Sequence, residues 1–252
     1  MKYILSFSGG KDSTFLFLEL IRRGWRLDEV VFFDTGWEFP AMYKHIELIK
    51  EICKARGIKF VTLHPEKSFD YYMFDHITKS GKQGYSWCGG RCRWGTKFKT
   101  MALGKYFKAN KGGIEYIGIA ADETERLIKE REEYKRFPLA EWGITEAECL
   151  QGCYDAGFDW GGMYEYLERL SCKFCSNKTY NELRNIRKHY PDVWEELKDR
   201  QRRTPRPYRM KERESIFYIE KRFELEDERI KQGLSITSRE FYKTLKEHKE
   251  TL

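Results

Sequence analysis

The stretch Ser6-Phe7-Ser8-Gly9-Gly10-Lys11-Asp12-Ser13-Thr14 follows directly on the apolar run Tyr3-Ile4-Leu5 and leads into an amphipathic segment. Glycines let the backbone take positive φ and come close to phosphate oxygens. A helix opening at about Ser13 presents free N–H groups and its positive dipole end to the same space. Lys11 adds a point charge, and Ser8 and Ser13 add hydroxyl donors. Asp12 is the odd member, because a carboxylate beside phosphates makes sense mainly when it helps to hold a divalent cation. The stretch reads as a phosphate cradle for a metal-bound nucleotide. It is neither a Walker A loop nor a Rossmann fingerprint, because both spacings are missing. The bland alternative, a tight strand-to-helix turn, uses the glycines but leaves Lys11, Asp12 and both serines unexplained.

Working outward, residues 3–7, 29–33, 59–63 and 116–120 are short apolar runs that read as strands. Between them, residues 13–23 and 40–56 have helical spacing, with Gly24 and Gly57 as stops and Pro40 at a first turn. Strands alternating with helices at this spacing predict an α/β fold, a three-layer sandwich with a central parallel sheet. Residues 80–95 read as a Gly- and Cys-bearing loop, and residues 96–107 as a helix. Beyond Lys135 the pattern is mostly helical, so the expected division is an α/β nucleotide-binding domain at 1–137 and a helical C-terminal part at 138–252. Thr145 with Glu148, and Thr237 with Glu240, carry capping-box signatures.

The chain has 252 residues, 40% hydrophobic and 16% aromatic, which is enough for a core and excludes wholesale disorder. Its formal net charge of +7 is concentrated: from Arg200 to Arg213 the sequence RQRRTPRPYRMKER carries seven Lys/Arg against one Glu. Interleaved with Pro205, Pro207 and Tyr208, these cations could follow a nucleic-acid backbone, with Tyr208 available for stacking. They could equally form a solvated linker or pair with the acidic run Glu224-Glu226-Asp227-Glu228. No apolar run approaches the roughly 20 residues of a membrane span, and the start Met1-Lys2-Tyr3 has no signal-peptide pattern, so a cytoplasmic protein is expected. The five histidines are scattered without metal-pair spacing.

Seven cysteines in such a chain point to metal or redox chemistry rather than disulfides. Cys88 and Cys92 form a C-x-x-x-C pair, and Cys172 and Cys175 a C-x-x-C pair. Four thiolates suit zinc or a [4Fe–4S] cluster; the alternative is buried thiols used as small apolar residues. Cys149 and Cys153, at i and i+4 of one helix, and Cys53, alone in another, are read as packing.

Ser8 to Ser13 resembles the SGG-x-DS loop of the adenine nucleotide α-hydrolase, or PP-loop ATP pyrophosphatase, superfamily. Residues 33–43, FDTGWEFPAMY, resemble the DTG-x-x-F/P-E-T-Y element of phosphoadenosine phosphosulfate (PAPS) reductases and of the small ATP sulfurylase subunit. Residues 118–126, GIAADETER, resemble their G-x-R-x-x-E-S-x-x-R element, and residues 138–142, PLAEW, their P-L-x-x-W. The resemblance implies an adenine-nucleotide site made by Ser6, Ser8, Gly9, Gly10, Lys11, Asp12, Ser13, Asp34, Thr35, Gly36, Gly118, Glu123 and Arg126, with Lys11 and Asp12 catalytic. It implies ATP with Mg²⁺, cleavage at the α-phosphate to adenylate an acceptor, and sulfur transfer or nucleic-acid modification, with a sulfur-donor protein as a further partner. The separation of Cys92 from Cys172 is similar to the two-part arrangement of adenosine phosphosulfate (APS) reductases, which implies a [4Fe–4S] cluster on Cys88, Cys92, Cys172 and Cys175, with Zn²⁺ as the alternative. Departures separate the chain from the reductases: Ala120 replaces the usual Arg, SGGKDS is intact, and Lys249-Glu250-Thr251-Leu252 is not the Cys-bearing tail of a thiol-using reductase. Reduction of PAPS or APS, and non-catalytic binding of nucleotide or nucleic acid, are the two alternative functions.

Overall fold

The computed structural model describes residues 1–88, 92–110, 113–128 and 132–250. Two compact units form, Met1–Ser68 with Gly95–Lys173, and Phe69–Trp94 with Phe174–Leu252. Compactness thus divides the chain elsewhere than the change to a helical pattern near residue 138 does. The helices just after that point pack on the sheet-bearing unit, whereas 69–94 joins the later helices.

The first unit contains β1 (Tyr3–Phe7), α1 (Lys11–Arg22), β2 (Glu29–Phe33), α2 (Pro40–Ala55), β3 (Lys59–Leu63), α3 (Arg93–Ala109), β4 (Ile114–Ile117), α4 (Thr124–Ile128), β5 (Lys135–Arg136), α5 (Pro138–Glu141), α6 (Glu146–Asp155) and α7 (Met163–Tyr166). The five strands form a parallel sheet in the order β3-β2-β1-β4-β5, the α/β architecture of the adenine nucleotide α-hydrolases. The chain winds outward from β1 to β3 and then returns to pair β4 with the other side of β1. The strand order reverses between β1 and β4, which is where open α/β sheets bind ligands, beyond the strands' carboxyl ends.

The local sequence explains these elements. All five residues of β2 are buried, as expected of a strand covered on both faces; its one charge, Glu29, accepts from Lys2 Nζ at 2.6 Å and from the Tyr106 hydroxyl. α1 buries Leu16, Phe17 and Leu20. Its other side meets α6 closely, because a Cβ on Gly152 would come within 2.1 Å of the Phe15 ring. The helix starts two residues earlier than its apolar pattern suggests, since Gly10 is already its N-cap. β4 is displaced toward the N-terminus by two to three residues, and β5, two residues long, has too little sequence for a periodic signal. α3 begins inside the expected 80–95 loop; residues 89–91 of that loop lie outside the described residues.

In the second unit a π-helical turn (Tyr71–Asp75) accompanies α8 (Tyr180–His189), α9 (Pro191–Arg202), α10 (Ile216–Lys231) and α11 (Arg239–Glu250). Leu183, Ile186, Leu197, Ile219 and Phe241 are among its fully buried side chains. The expected capping box at Thr145 and Glu148 is present on α6, and a second, at Thr179 and Glu182, opens α8. The box expected at Thr237 does not form. Ser238 Oγ instead accepts from Phe241 N at 3.1 Å, while Thr237 N donates to Ser235 Oγ; serine fills the cap position as well as threonine would.

Candidate nucleotide site

β1 ends at Phe7, and the next three residues turn the chain into α1. Gly9 has φ +79°, and a Cβ there would lie 2.5 Å from Met42 Sδ and 3.1 Å from Ile46 Cδ1. Glycine at position 9 therefore meets both a conformational and a packing requirement. Gly118, just past β4, is required for a different reason: a Cβ would stand 2.9 Å from Ser13 N and 3.0 Å from the Asp12 carbonyl carbon. The end of β4 thus lies directly against the first turn of α1.

Ser13 shapes the loop. Its Oγ donates to Gly10 O at 3.1 Å, accepts from Ser8 N at 3.2 Å and lies 3.0 Å from Ser8 Oγ. Ser8 is exposed. Ser6 hydrogen-bonds the buried Glu115 carboxylate of β4, an intra-sheet contact. Asp34, Thr35 and Gly36 follow β2. Asp34 Oδ1 accepts from Gly36 N at 2.8 Å and from Tyr43 Oη at 2.9 Å, and Thr35 Oγ1 donates to Glu38 at 2.7 Å. These bonds fix a turn with Gly36 at φ +74°. The sequence-predicted residues thus cluster at the carboxyl ends of three neighbouring strands, β2, β1 and β4.

The charges concentrate on α1. Lys11 Nζ lies 2.7 Å from Glu146 Oε1 and 3.1 Å from Asp12 Oδ1. Ligand oxygens of Asp12, Glu123 and Glu146 all fall within 4.8 Å of one another. Glu123 also accepts from Ala120 N at 3.1 Å and pairs with Arg126. Burial raises the Asp12 carboxyl above the ordinary aspartate value; Lys11 pulls against it, and Glu146 and Glu123 push it further up. For Lys11, burial works downward, but the hydrogen bond to Glu146 and the Asp12 charge outweigh it and leave the ammonium above its usual value. Three carboxylates at this spacing form a hard, oxygen-only donor set that fits Mg²⁺ or a similar divalent cation.

Glu146 was not among the sequence-derived site residues. It sits directly after the Thr145 cap, where an acid complements a helix N-terminus, and that local role hid the long-range one; its own N–H donates to Asp122 at 3.0 Å. Trp160 and Tyr164 were missed as well. Trp160 Nε1 donates to Gly9 O at 2.8 Å, Lys11 N donates to Tyr164 Oη at 2.8 Å, and Cys153 Sγ contacts Lys11 O at 3.4 Å. The loop backbone is held from three points on the segment 153–164. The one available signal was Asp159-Trp160-Gly161-Gly162, in which Trp160, Gly161 and Gly162 all take positive φ and Asp159 accepts from Gly161 N. Below the loop, the buried His45 lies 2.9 Å from Thr14 Oγ1 and 4.8 Å, centroid to centroid, from the Trp160 ring. Burial lowers its pKa to about 4 and keeps it neutral.

Trp160→Phe keeps an aromatic ring beside His45 and leaves the buried Gly9 carbonyl without its donor. The expected cost is about 1–3 kcal/mol, read from urea unfolding; an unchanged midpoint would show that the bond does not hold the loop.

Cys149 and Cys153 are fully buried, as is Cys53. Burial pushes the Cys149 thiol upward and those of Cys153 and Cys53 up to about 12, so all three are protonated packing groups. In the second unit, Cys88 Sγ and Cys92 Sγ are 3.7 Å apart, and Ser176 Oγ donates to Cys88 O at 2.8 Å, tying the peptide next to Cys175 to the first pair. Cys172 lies near the end of the first unit's second segment.

The basic segment is largely built into the second unit. Arg200 pairs with Asp70 at 2.8 Å and stacks 3.6 Å above Phe174, Arg203 stacks on Phe74 at 3.7 Å, and Arg206 donates to Tyr85 O at 3.3 Å. Tyr208 is fully buried, with its hydroxyl bonded to Cys175 O, so the expected stacking platform is corrected: that ring is core. The acidic run has other partners, Glu226 with Arg184 and Arg222, and Asp227 with Arg187.

Residues 2–147 match the phosphoadenosine phosphosulfate reductase domain. An uncharacterized protein of Methanocaldococcus jannaschii is 24% identical over 213 residues, covering 76% of this chain and 40% of that protein. The tRNA(Ile)-lysidine synthase of Chlamydia pneumoniae is 30% identical over 130 residues, covering 51% of this chain and 35% of that protein. The chain spans two fifths or less of the length of these relatives. The reductase-domain match takes in the whole parallel sheet, the glycine turn and all three clustered carboxylates, more than half of the sequence, and the chain therefore belongs to the phosphoadenosine phosphosulfate reductase domain family of the PP-loop superfamily.

Proposed function

We propose that the chain is an ATP pyrophosphatase-type enzyme that adenylates an acceptor oxygen, in the service of nucleic-acid modification or sulfur transfer. The observation that carries this reading is the juxtaposition of Asp12, Glu123, Glu146 and Lys11 at a glycine turn on the strand-order switch of the sheet. The turn and the N-terminus of α1 would receive the phosphates. Lys11 would supply positive charge as the bond from the α-phosphorus to the bridging oxygen breaks, pyrophosphate carries away the electron pair, and the acceptor oxygen bonds to phosphorus. Asp12, Glu123 and Glu146 would hold a divalent cation, whose chemistry there is charge neutralisation on the departing pyrophosphate. A tRNA-modifying relative supports a nucleic acid as the acceptor.

The test incubates the protein with ATP, Mg²⁺ and candidate RNA or DNA and measures pyrophosphate and AMP. Acceptor-dependent release is expected. No release with any acceptor, together with tight binding of a 3′-phosphorylated sulfonucleotide and sulfite production, would replace this reading with reduction.

A metal ion would be held by the second unit's Cys88, Cys92 and Cys175. Tetrahedral bonds of about 2.3 Å put neighbouring sulfurs about 3.8 Å apart, and the 3.7 Å between Cys88 Sγ and Cys92 Sγ suits two ligands of one such ion. In a [4Fe–4S] cluster each thiolate binds its own iron, which spreads the sulfurs further. The expected result is zinc at one per chain and no visible absorption from anaerobically purified protein; iron with broad visible absorption would assign the cluster.

A further inference from the structure

From Thr96 to its end at Ala109, α3 carries Lys97, Lys99, Lys105 and Lys108 and no acid. At helical spacing, Lys97, Met101, Gly104, Lys105 and Lys108 fall within one arc of about 100°. The three lysines and Met101 are exposed, and a Cβ on Gly104 would meet nothing within 4 Å. Lys99 and Tyr106 lie on the other side of the helix. Tyr106 donates to Glu29, and burial lowers the Lys99 ammonium, with Glu38 pulling it back up and Arg126 pushing it further down. The stripe through Lys97 and Lys108 is therefore the solvent face. Ordinary solvated faces interleave opposite charges: α2 carries Lys44, Glu47, Lys50, Glu51 and Lys54, and its Lys50 bonds Glu47 at 2.7 Å. The acids that face the α3 stripe come from other segments. Glu66 Oε1 is 3.6 Å from Lys105 Nζ, with side chains 84% and 72% exposed, a pair that contributes little and yields to a stronger anion. Glu132 is held below the usual carboxylate value first by Lys135 and Tyr134, and least by Lys108. Glu29, at the far end, is taken by Lys2 and Tyr106, with Lys59 at 3.6 Å.

Gly104 is a second, independent sign. A glycine inside a helix weakens it, and no close packing calls for this one, unlike Gly152 against Phe15. Its open side leaves a flat place among the lysines where another backbone can come close. The helix also starts in the right place. Since β3 and β4 run parallel in one sheet, α3 returns from the carboxyl edge to the amino edge. Near its start, Lys99 lies within electrostatic reach of Glu38, which bonds Thr35, and of Arg126; past its end, Asn110 Oδ1 accepts from Lys2 Nζ at 2.9 Å. The rise from Lys97 to Lys108 is about 17 Å, the length of about five stacked nucleotides at roughly 3.4 Å each. We propose that this stripe is a track for the sugar–phosphate backbone of a single-stranded polynucleotide, whose acceptor residue enters the nucleotide site at the Lys97 end. The inference rests on the reading that the acceptor is a nucleic acid. Chemistry on a residue within a strand requires that residue out of the duplex, and lysines set along a helix hold phosphates without reading sequence.

The test measures binding of a labelled single-stranded twelve-nucleotide RNA to the full chain by fluorescence anisotropy over a salt series. Lys105→Glu combined with Lys108→Glu is expected to weaken binding about a hundredfold, and Lys105→Gln alone to make the slope of log K against log salt shallower by about 0.7. Gly104→Glu is expected to weaken binding about tenfold while the melting temperature holds or rises, because glutamate is the better helix former. Unchanged affinity in Gly104→Glu, a variant that keeps the fold, overturns the proposal. So does displacement of the RNA by an equal concentration of a polyglutamate peptide of equal charge, which would assign the stripe to an acidic protein. Pyrophosphate release separates this inference from the reading beneath it. RNA bound through α3 without release from ATP leaves the track standing and removes adenylation; release by Gly104→Glu with an unchanged KM for RNA removes the track alone.

Discussion

Asp12→Asn is expected to lower Mg²⁺-dependent pyrophosphate release by about a hundred- to a thousandfold while leaving the fold intact. Asparagine keeps the shape but removes one of three clustered anionic ligands. Stability follows from the direction of the Asp12 shift. Burial, reinforced by Glu146 and Glu123, raises its folded-state pKa in spite of Lys11. A carboxyl raised on folding contributes stability that is fully present below its unfolded value, about 3.9, and is lost as pH rises through the folded value. At neutral pH the ionised cluster is thus a local burden on the fold, which a bound divalent cation relieves. Mg²⁺ is therefore expected to raise the melting temperature of the unaltered protein and to have little effect on Asp12→Asn, whose own melting temperature should not fall. Activity of Asp12→Asn within tenfold of the unaltered protein would remove the cluster from the mechanism.

Gly9→Ala and Gly10→Ala, one residue apart, are expected to differ sharply. At Gly9 an added methyl meets Met42 Sδ at 2.5 Å with φ at +79°; at Gly10, where φ is −79°, it would meet only Tyr164 Oη at 3.4 Å and Ser8 Oγ at 3.7 Å. Strained backbone and overpacking together put the cost of Gly9→Ala at about 2–4 kcal/mol, a fall of roughly 5–15 °C in melting temperature for a chain of this size. Gly10→Ala should melt within about 2 °C of the unaltered protein and lose nucleotide affinity alone. Equal destabilisation by the two would mean that the turn is set by something other than the Gly9 conformation and its contact with α2.

The sheet was legible because its strands are continuous apolar runs separated by helices of ordinary length, and that pattern has one common solution. The glycine turn was legible because its residue types are uneconomical for any purpose but a ligand. What escaped has physical reasons. β5 gains its strand character from pairing with β4, so Lys135 and Arg136 alone carry no periodicity. Glu146 looked like an ordinary first-turn acid beside the Thr145 cap because it is one as well. Trp160 and Tyr164 act on the turn across more than 150 residues of sequence, and no local pattern encodes such a contact. Tyr208 shows the opposite error: a Pro-flanked basic segment suggests a solvated surface, yet cation–π contacts and the hydroxyl's bond to the chain at Cys175 turn it inward.

The bracing of the glycine turn by Trp160, Tyr164 and Cys153 also sets a limit on modular reuse. The family match ends at residue 147, inside α6 and before all three. A fragment cut at that boundary would contain every charged group of the carboxylate cluster, yet the carbonyl of Gly9 and the amide of Lys11 would lose their partners, and Phe15 would lose the glycine-lined seat at residue 152. The span matched by the reductase-domain family is shorter than the span needed to hold the turn in shape, so grafting or truncating this nucleotide site should treat residue 166, the end of α7, as its earliest endpoint.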